Sequence, residues 1–326
     1  MSALLEVLDL HVHFPVTGGV FRRPVGALKA VNGVTFSVER GETLGVVGES
    51  GCGKTTLGRA IVRLLRPTAG SIRFNGVAIE GLGRAQLKPI RRDLQMIFQD
   101  PFSSLNPRLS IGSALIEPLQ IHGMRGAGSE RGRIEEVLAL VGLQPDDLRK
   151  FPHEFSGGQR QRIGIARALV LEPSLVIADE PVSALDVSIQ SQVLNLLVEL
   201  QRRLGLTYVF ISHDLTVVRY IADRIAVMYL GRVVELARAS DTYMRPRHPY
   251  TRALLGAVPS LRSKRRRDHH AAVAGDVPSP HRPPPGCAFH TRCRHAVDRC
   301  RVEVPQLRPF DGDPAHQVAC HLAEEI

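Results

Sequence analysis

The chain has 326 residues, of which 44% are hydrophobic, and its formal net charge is +10. This length allows one large or two modest domains with a substantial core, and the hydrophobic content excludes global disorder. No apolar stretch approaches the roughly 18 residues that a membrane span needs, and residues 1–7 lack the features of a signal peptide, so we expect a cytoplasmic protein.

Residues 4–14 alternate between apolar and polar positions, which predicts an edge strand. A turn-rich segment is expected at residues 15–19, and a second turn at Asn75-Gly76. The predicted strands are residues 4–14, 29–38, 43–47, 71–74 and 94–98.

Residues 48–55 carry the phosphate-binding pattern G-x-x-x-x-G-K-[ST]. Its residues are Gly48, Glu49, Ser50, Gly51, Cys52, Gly53, Lys54 and Thr55, and Thr56 follows. The glycines let the loop turn its N–H groups toward one anion, and the lysine can reach the β- and γ-phosphates. The loop lies between the predicted strand 43–47 and a helical pattern that reaches residue 65, so the helix N-terminus points at the phosphates. The sequence therefore predicts a nucleoside triphosphate site.

The pattern becomes helical after residue 100. Residues 111–120 and 133–141 are predicted helices, and we interpret this block, about residues 100–165, as an inserted helical subdomain. Strands and helices then alternate again, which predicts a mostly parallel α/β sheet. The predicted elements are strand 175–178, helix 188–204 with Ser188 as its cap, strand 206–211, helix 214–222, and a hairpin of residues 224–229 and 232–236.

Two carboxylates end the apolar strand at residues 175–178. They lie at the carboxyl edge of the predicted sheet, where open α/β sheets bind ligands. Asp179 suits the coordination shell of Mg²⁺, and Glu180 can orient or deprotonate a water that attacks the γ-phosphate. Together with the phosphate loop, these residues favour hydrolysis over binding alone.

A second anion site is predicted at residues 155–160, Phe-Ser-Gly-Gly-Gln-Arg. Ser156 can cap the helix that follows, and two glycines leave its first N–H groups uncovered. An ordinary capped helix is the alternative. A second γ-phosphate site is useful only if it serves the nucleotide of a neighbouring subunit.

These motifs occur in the order phosphate loop, Ser-Gly-Gly-Gln-Arg-Gln-Arg, Asp-Glu-Pro and Ile-Ser-His-Asp. In this respect the chain, over about residues 4–236, resembles the ATP-binding subunits of ABC transporters. The resemblance implies an ABC-type P-loop ATPase fold with a mixed sheet core, an inserted helical subdomain and a C-terminal cysteine-containing extension.

The same resemblance implies further roles for single residues. Gln99 would contact Mg²⁺ and the attacking water beside Thr55 and Asp179, and His213 would contact the γ-phosphate. The segment that includes Asp186 would cross to a partner subunit, whose nucleotide would be bound by Ser156, Gly157, Gly158 and Gln159. Phe14 is the candidate for stacking on adenine, with Phe21 as the alternative.

Cys52 lies at a predicted helix N-terminus beside Lys54. Both features favour the thiolate. We therefore expect a reactive cysteine whose alkylation blocks ATP binding.

The last forty residues contain four cysteines, Cys287, Cys293, Cys300 and Cys320. In a cytoplasmic chain such a group suggests metal before disulfide, and its spacing is not that of an ordinary zinc finger. Four thiolates could bind zinc or an iron–sulfur cluster, and the spacing does not choose between them. The additional candidate ligands are His290, His295, His316 and His321.

The C-terminal region also resembles the extension of di- and oligopeptide importer ATPases, through residues 248–255 (HPYTRALL) and the later cysteines. The resemblance implies a [4Fe-4S] cluster on the four cysteines, as in some members of that family. We divide the chain into an ABC ATPase domain at 1–236, a helix and Pro/Arg-rich linker at 237–285, and a cysteine module at 286–326.

The function implied is ATP hydrolysis that energises peptide import, with ATP and Mg²⁺ as cofactors. The implied partners are a second ATPase subunit in a head-to-tail dimer, two membrane permease subunits and an extracytoplasmic binding protein, which would place the chain at the cytoplasmic side of a bacterial inner membrane. Import of nickel or another small solute is one alternative. A soluble ABC ATPase acting on nucleic acid is the other, permitted by the positive charge, although no nucleic acid partner is expected.

Overall fold

The computed structural model describes residues 3–18, 23–100, 105–124, 129–257 and 275–326. The chain divides into two compact units. The first comprises Met1–Leu5, Val38–Thr43 and Arg73–Ile211, and the second comprises Glu6–Ser37, Leu44–Ile72 and Ser212–Ile326. Phe21 and residues 258–274 of the predicted linker lie outside the described residues.

Strands and helices alternate through much of the chain. The strands are β1 (Leu5–Gly18), β2 (Arg23–Val38), β3 (Thr43–Val47), β4 (Ala69–Phe74), β5 (Val77–Ala78), β6 (Leu94–Ile97), β7 (Leu175–Asp179), β8 (Thr207–Ser212), β9 (Arg224–Tyr229), β10 (Arg232–Arg238), β11 (Arg308–Phe310) and β12 (Asp313–Val318). The α-helices are α1 (Lys54–Ile61), α2 (Arg84–Asp93), α3 (Ile111–Ile121), α4 (Ser129–Leu140), α5 (Gly157–Leu169), α6 (Val187–Leu204), α7 (Leu215–Ile221), α8 (Ala239–Met244), α9 (Pro249–Gly256) and α10 (Asp298–Val302).

The core of the first unit is built on parallel strands. β7 pairs with β6 on one side and with β8 on the other, with Leu94 opposite Leu175 and Leu175 opposite Thr207. Every residue of β7 and β8 is buried, as expected for parallel strands covered on both faces. Helices α3, α4 and α5 lie in the sequence between the paired strands β6 and β7, so this helical block is an insertion into the α/β pattern.

The second unit contains a mixed sheet. β3 pairs in parallel with β9, and β9 forms an antiparallel hairpin with β10. Leu230 and Gly231 join that hairpin, and both have positive φ (42° and 79°), the combination that a two-residue primed turn requires. The predicted hairpin is therefore confirmed.

The C-terminal extension also belongs to this sheet. β12 pairs antiparallel with β10, with Glu235 opposite Val318, and β11 pairs with β12. The sequence did not predict this addition, because β11 and β12 are short and carry prolines.

Several predicted boundaries are wrong, among them the start of β2, which is Arg23 rather than residue 29. β1 continues to Gly18 through the expected turn at 15–19, because it stays paired as a strand. α1 ends at Ile61 rather than near residue 65, because Arg63 has a left-handed φ of 56° that a helix cannot contain. α6 begins at residue 187, so its N-cap is Asp186 instead of Ser188, while Gly205 ends it at a φ of 65°.

No helix within the described ranges is both long and apolar enough to cross a membrane.

Candidate active site

The phosphate loop of the second unit depends on close backbone packing. It connects the buried strand β3 to α1. Gly53 has a φ of 106°, and a Cβ there would lie 2.0 Å from the carbonyl oxygen of Ala30. A Cβ at Gly48 would lie 2.2 Å from the carbonyl oxygen of Met228. Only glycine meets both conditions, so the loop conformation follows directly from the sequence pattern.

Lys54 lies over this loop. Its side chain is buried, and its ammonium group donates to the carbonyl oxygens of Gly48 (2.7 Å) and Glu49 (3.2 Å). The N-cap of α1 is Gly53, which has no side chain to bond the first N–H groups of the helix. Those N–H groups and the lysine are the anion-binding elements that the sequence predicts. Thr55 and Thr56, in the first turn, are half-buried.

The expectation that Cys52 is a thiolate is wrong, whereas the block of ATP binding by its alkylation stays a prediction. Its side chain is 3% exposed, and burial raises the pKa of the thiol more than the nearby Lys54 lowers it. Loss of hydration of the charged form therefore outweighs the ammonium group, and the neutral thiol is favoured.

The carboxylates after β7 lie in the first unit. Asp179 ends the strand and is 1% exposed. Glu180 has a φ of 46°, a left-handed conformation that is costly for a side chain with a Cβ and that is found most often at functional sites. Its N–H donates to the carbonyl oxygen of Ile211 (2.9 Å), and its carboxylate accepts a hydrogen bond from Nε2 of Gln99 (3.0 Å). The structure therefore brings together Gln99 and Glu180, which are 81 residues apart.

The Ser-Gly-Gly-Gln segment begins α5. Ser156 Oγ accepts from the N–H of Gln159 (3.3 Å), and the Gln159 side chain accepts from the N–H of Ser156 (3.0 Å). This reciprocal pair is a capping box. Gly158 is buried, and a Cβ there would lie 2.5 Å from Cγ2 of Ile189. Both Ser156 and Gln159 are exposed, so the helix N-terminus is presented at the surface.

The remaining predicted site residues are distributed over both units. His213 directly follows β8 in the second unit and is exposed. Asp186, in the first unit, is the exposed N-cap of α6. Phe14 lies in β1 and is half-buried, and its role at adenine stays a prediction.

The four C-terminal cysteines are brought together. All four are free, and they line one small cavity together with His290, His295 and His321. Burial raises the pKa of Cys287 to about 11, and it raises the pKa values of Cys293 and Cys320 as well. Within the described ranges, no group of three or more His, Cys, Asp or Glu residues is arranged to hold a metal ion, so the expected iron–sulfur cluster has no support in the structure.

His316 is wrong as a candidate metal ligand. Its Nε2 lies 2.8 Å from Oε1 of Glu235, which is fully buried in β10. The same carboxylate accepts the N–H groups of Arg247 and His248. Burial alone would raise the pKa of Glu235, but these hydrogen bonds, led by that of His316, lower it below its usual value. The imidazole therefore stabilises a buried carboxylate between β10 and β12.

Sequence reasoning missed one connection to the phosphate loop. Arg292 of the cysteine module forms two hydrogen bonds with the carboxylate of Glu49, and the Tyr250 hydroxyl accepts the N–H of Glu49. The partners are more than 200 residues apart, and no motif in the sequence signals the contact.

Two regions of the chain match described families. Residues 31–183 match the family described as ABC transporter, and residues 234–300 match the oligopeptide/dipeptide transporter C-terminal region. The chain is 53% identical over 323 residues to the oligopeptide transport ATP-binding protein AppF of Bacillus subtilis, covering 98% of each chain. It is 49% identical to the di/tripeptide transport ATP-binding protein DppF of Pseudomonas aeruginosa, covering 100% of this chain and 99% of that one.

Solved structures agree with these sequence matches. The dimeric, post-hydrolysis structure of the ATP-binding cassette MJ0796 bound to ADP and Pi has a TM-score of 0.64 and 28% identity, covering 72% of this chain and 98% of that one. The cbiO1 protein of Clostridium perfringens, part of the transporter complex cbiONQ, has the same TM-score and identity and covers 75% of this chain and 92% of its own.

Proposed function

Because the chain belongs to the ATP-binding proteins of the oligopeptide/dipeptide ABC transporters, we propose that it binds and hydrolyses ATP to energise the import of di- and oligopeptides. The observation that carries this proposal is the similarity to peptide transport ATP-binding proteins over 98% of the chain, C-terminal extension included. These relatives favour peptides over nickel as cargo, and transport over a role on nucleic acid.

The hydrolytic residues are proposed from their geometry. Glu180 follows the last residue of a buried strand, and Gln99 donates to its carboxylate. A carboxylate so oriented can accept a proton from a water that attacks the γ-phosphate. We assign this role to Glu180 and the orientation of its carboxylate to Gln99. We assign contact with the γ-phosphate to His213 from the family resemblance.

Thr55, Gln99 and Asp179 would hold Mg²⁺. Their hydroxyl, amide and carboxylate oxygens are the hard donors that this ion prefers, so the donor set fits. When bound, the ion would neutralise charge on the β- and γ-phosphates. Lys54 and the open N-terminus of α1 hold those phosphates in place.

A second ATPase subunit is proposed to complete the site. The exposed Ser156 and Gln159 at the start of α5 suit binding to the γ-phosphate of a partner's nucleotide, and Asp186 lies in the segment proposed to reach that partner. We place the dimer on two permease subunits at the cytoplasmic face of the membrane, served by an extracytoplasmic peptide-binding protein.

Transport by the assembled complex, carrying either wild type or Glu180→Gln, tests this function. We expect wild type to support ATP-dependent uptake of labelled dipeptides into vesicles. Glu180→Gln should bind ATP normally but turn it over about 10²- to 10⁴-fold more slowly, the usual contribution of a general base. Unchanged turnover would remove Glu180 from this role, and uptake of nickel without uptake of peptides would overturn the cargo.

The cysteine module requires its own measurement. We propose, from the match to the oligopeptide/dipeptide transporter C-terminal region and from the four thiols, that the module accepts a [4Fe-4S] cluster, although its described side chains are not arranged as a metal site. We route no step of ATP hydrolysis through it. Brown protein with stoichiometric iron after anaerobic purification would support the cluster, whereas colourless protein with stoichiometric zinc would refute it.

A further inference from the structure

A partly buried ion pair joins the cysteine module to the phosphate loop. Nη1 and Nη2 of Arg292 lie 2.8 Å and 3.0 Å from the two carboxylate oxygens of Glu49. The Arg292 side chain is only 6% exposed and that of Glu49 is 25% exposed, so water screens the pair weakly. Glu49 is the second residue of the phosphate loop, and Arg292 directly precedes Cys293.

The backbone of Glu49 is held from the same side. Its N–H donates to the hydroxyl of Tyr250 (2.9 Å), a side chain that is fully buried. The Tyr250 ring packs against Tyr229 (4.6 Å between centroids) and against Phe289 of the cysteine module (5.4 Å). The C-terminal extension therefore holds Glu49 at both its carboxylate and its N–H.

Glu49 is itself hydrogen-bonded to the groups that are expected to bind the phosphates. Lys54 donates to the carbonyl oxygens of Gly48 and Glu49, and the N–H of Cys52 donates to the carbonyl oxygen of Glu49 (3.2 Å). A displacement of Glu49 would therefore move both the lysine and the loop N–H groups that face the phosphates.

We propose that Arg292 is a positioning residue for the nucleotide site, and that the C-terminal cysteine module sets the affinity for ATP by holding Glu49 in place. The inference rests on the proposed function, since it requires that this loop bind ATP. Arg292 contacts the carboxylate of Glu49, and it acts through the loop.

A double-mutant cycle on the full chain tests this proposal. The variants are Arg292→Gln, Glu49→Gln and the double variant, and the quantities measured are the Kd for ATP without Mg²⁺ and the KM and kcat with it. We expect either single change to weaken ATP binding about tenfold, within the usual range of coupling between sites. The double variant should bind ATP no more weakly than the weaker-binding single variant, because the effects of two residues that act as one pair do not add.

Two further variants separate positioning from general damage. Arg292→Lys keeps the charge but loses the two-pronged geometry, so its Kd should lie between those of wild type and Arg292→Gln. Arg299→Gln breaks the exposed Arg299–Glu303 pair of the same module and should leave the Kd unchanged. Simple loss of folded protein would lower kcat and leave the Kd of the remaining active fraction unaltered.

The outcomes are distinguishable. Wild-type Kd values in both single variants, or additive effects in the double variant, would overturn the inference. If Arg292→Gln does not fold, Arg292→Lys and Glu49→Gln decide together, because the first changes the same contact by less and the second leaves the C-terminal module unchanged. Wild type that fails to bind ATP would overturn the proposed function instead.

Discussion

Acid should destabilise the second unit through one buried histidine. His248, the N-cap of α9, is 1% exposed, and burial lowers its pKa to about 4. Its Nδ1 accepts the N–H of Tyr250 (3.1 Å), a bond that a protonated ring could not make. The neighbouring Glu235 carboxylate favours the charged ring, but this effect is smaller than that of burial.

The size of the effect follows from the two pKa values. The unfolded chain binds a proton near pH 6.5, whereas the folded chain resists protonation until about pH 4. The stabilisation is therefore fully present above pH 6.5 and is lost as the pH falls from 6.5 toward 4. Between about pH 7 and about pH 5 the loss amounts to about 2 kcal/mol, from 1.36 kcal/mol per pKa unit.

His248→Asn is the matched variant, because an asparagine oxygen can still cap α9 but does not titrate. Urea unfolding is followed by far-UV circular dichroism, since the chain has no tryptophan. Between about pH 7 and about pH 5, the free energy of unfolding should fall by about 2 kcal/mol more in wild type than in the variant. Equal losses in both proteins would refute the assignment of this acid sensitivity to His248.

Three other predictions concern the nucleotide site. Gly53→Ala should abolish ATP binding and destabilise the protein by more than about 1 kcal/mol, because the new Cβ meets Ala30 and the φ is left-handed; retained ATP affinity in a titration would contradict this. Cys52 should react with iodoacetamide more slowly than a free thiol until guanidinium unfolds the chain, as mass spectrometry can measure; fast labelling of native protein would disprove its burial. Phe14→Ala should raise the KM for ATP about fivefold or more at unchanged kcat, because base stacking on an aromatic side chain typically contributes about 1–3 kcal/mol; the same result for Phe21→Ala alone would transfer the role.

Local patterns predicted much of the fold. The phosphate loop, the β9–β10 hairpin and the cap of α5 all depend on residues close in sequence, whose conformations are set by glycine, turn and capping chemistry. The boundaries that failed, such as the extension of β1 and the early end of α1, depend on pairing or on one left-handed residue, which periodicity does not report.

The cysteine module shows where such reasoning ends. The sequence grouped the four cysteines, and the structure places all of them on one cavity. The sequence also suggested His316 as a further metal ligand and Cys52 as a reactive thiolate, and both expectations are wrong. Each error concerns burial or a distant partner, and neither quantity can be read from neighbours along the chain.

By itself, the sequence determined that this chain has a phosphate loop, a capped Ser-Gly-Gly-Gln helix and carboxylates at the end of a buried strand, since each motif is a short run whose backbone geometry its own residues dictate. Only the tertiary structure decided that Gln99 meets Glu180, and that Arg292 and Tyr250 hold Glu49. Those contacts join segments 81 to 243 residues apart, and their stabilisation depends on the desolvation and packing that folding alone creates.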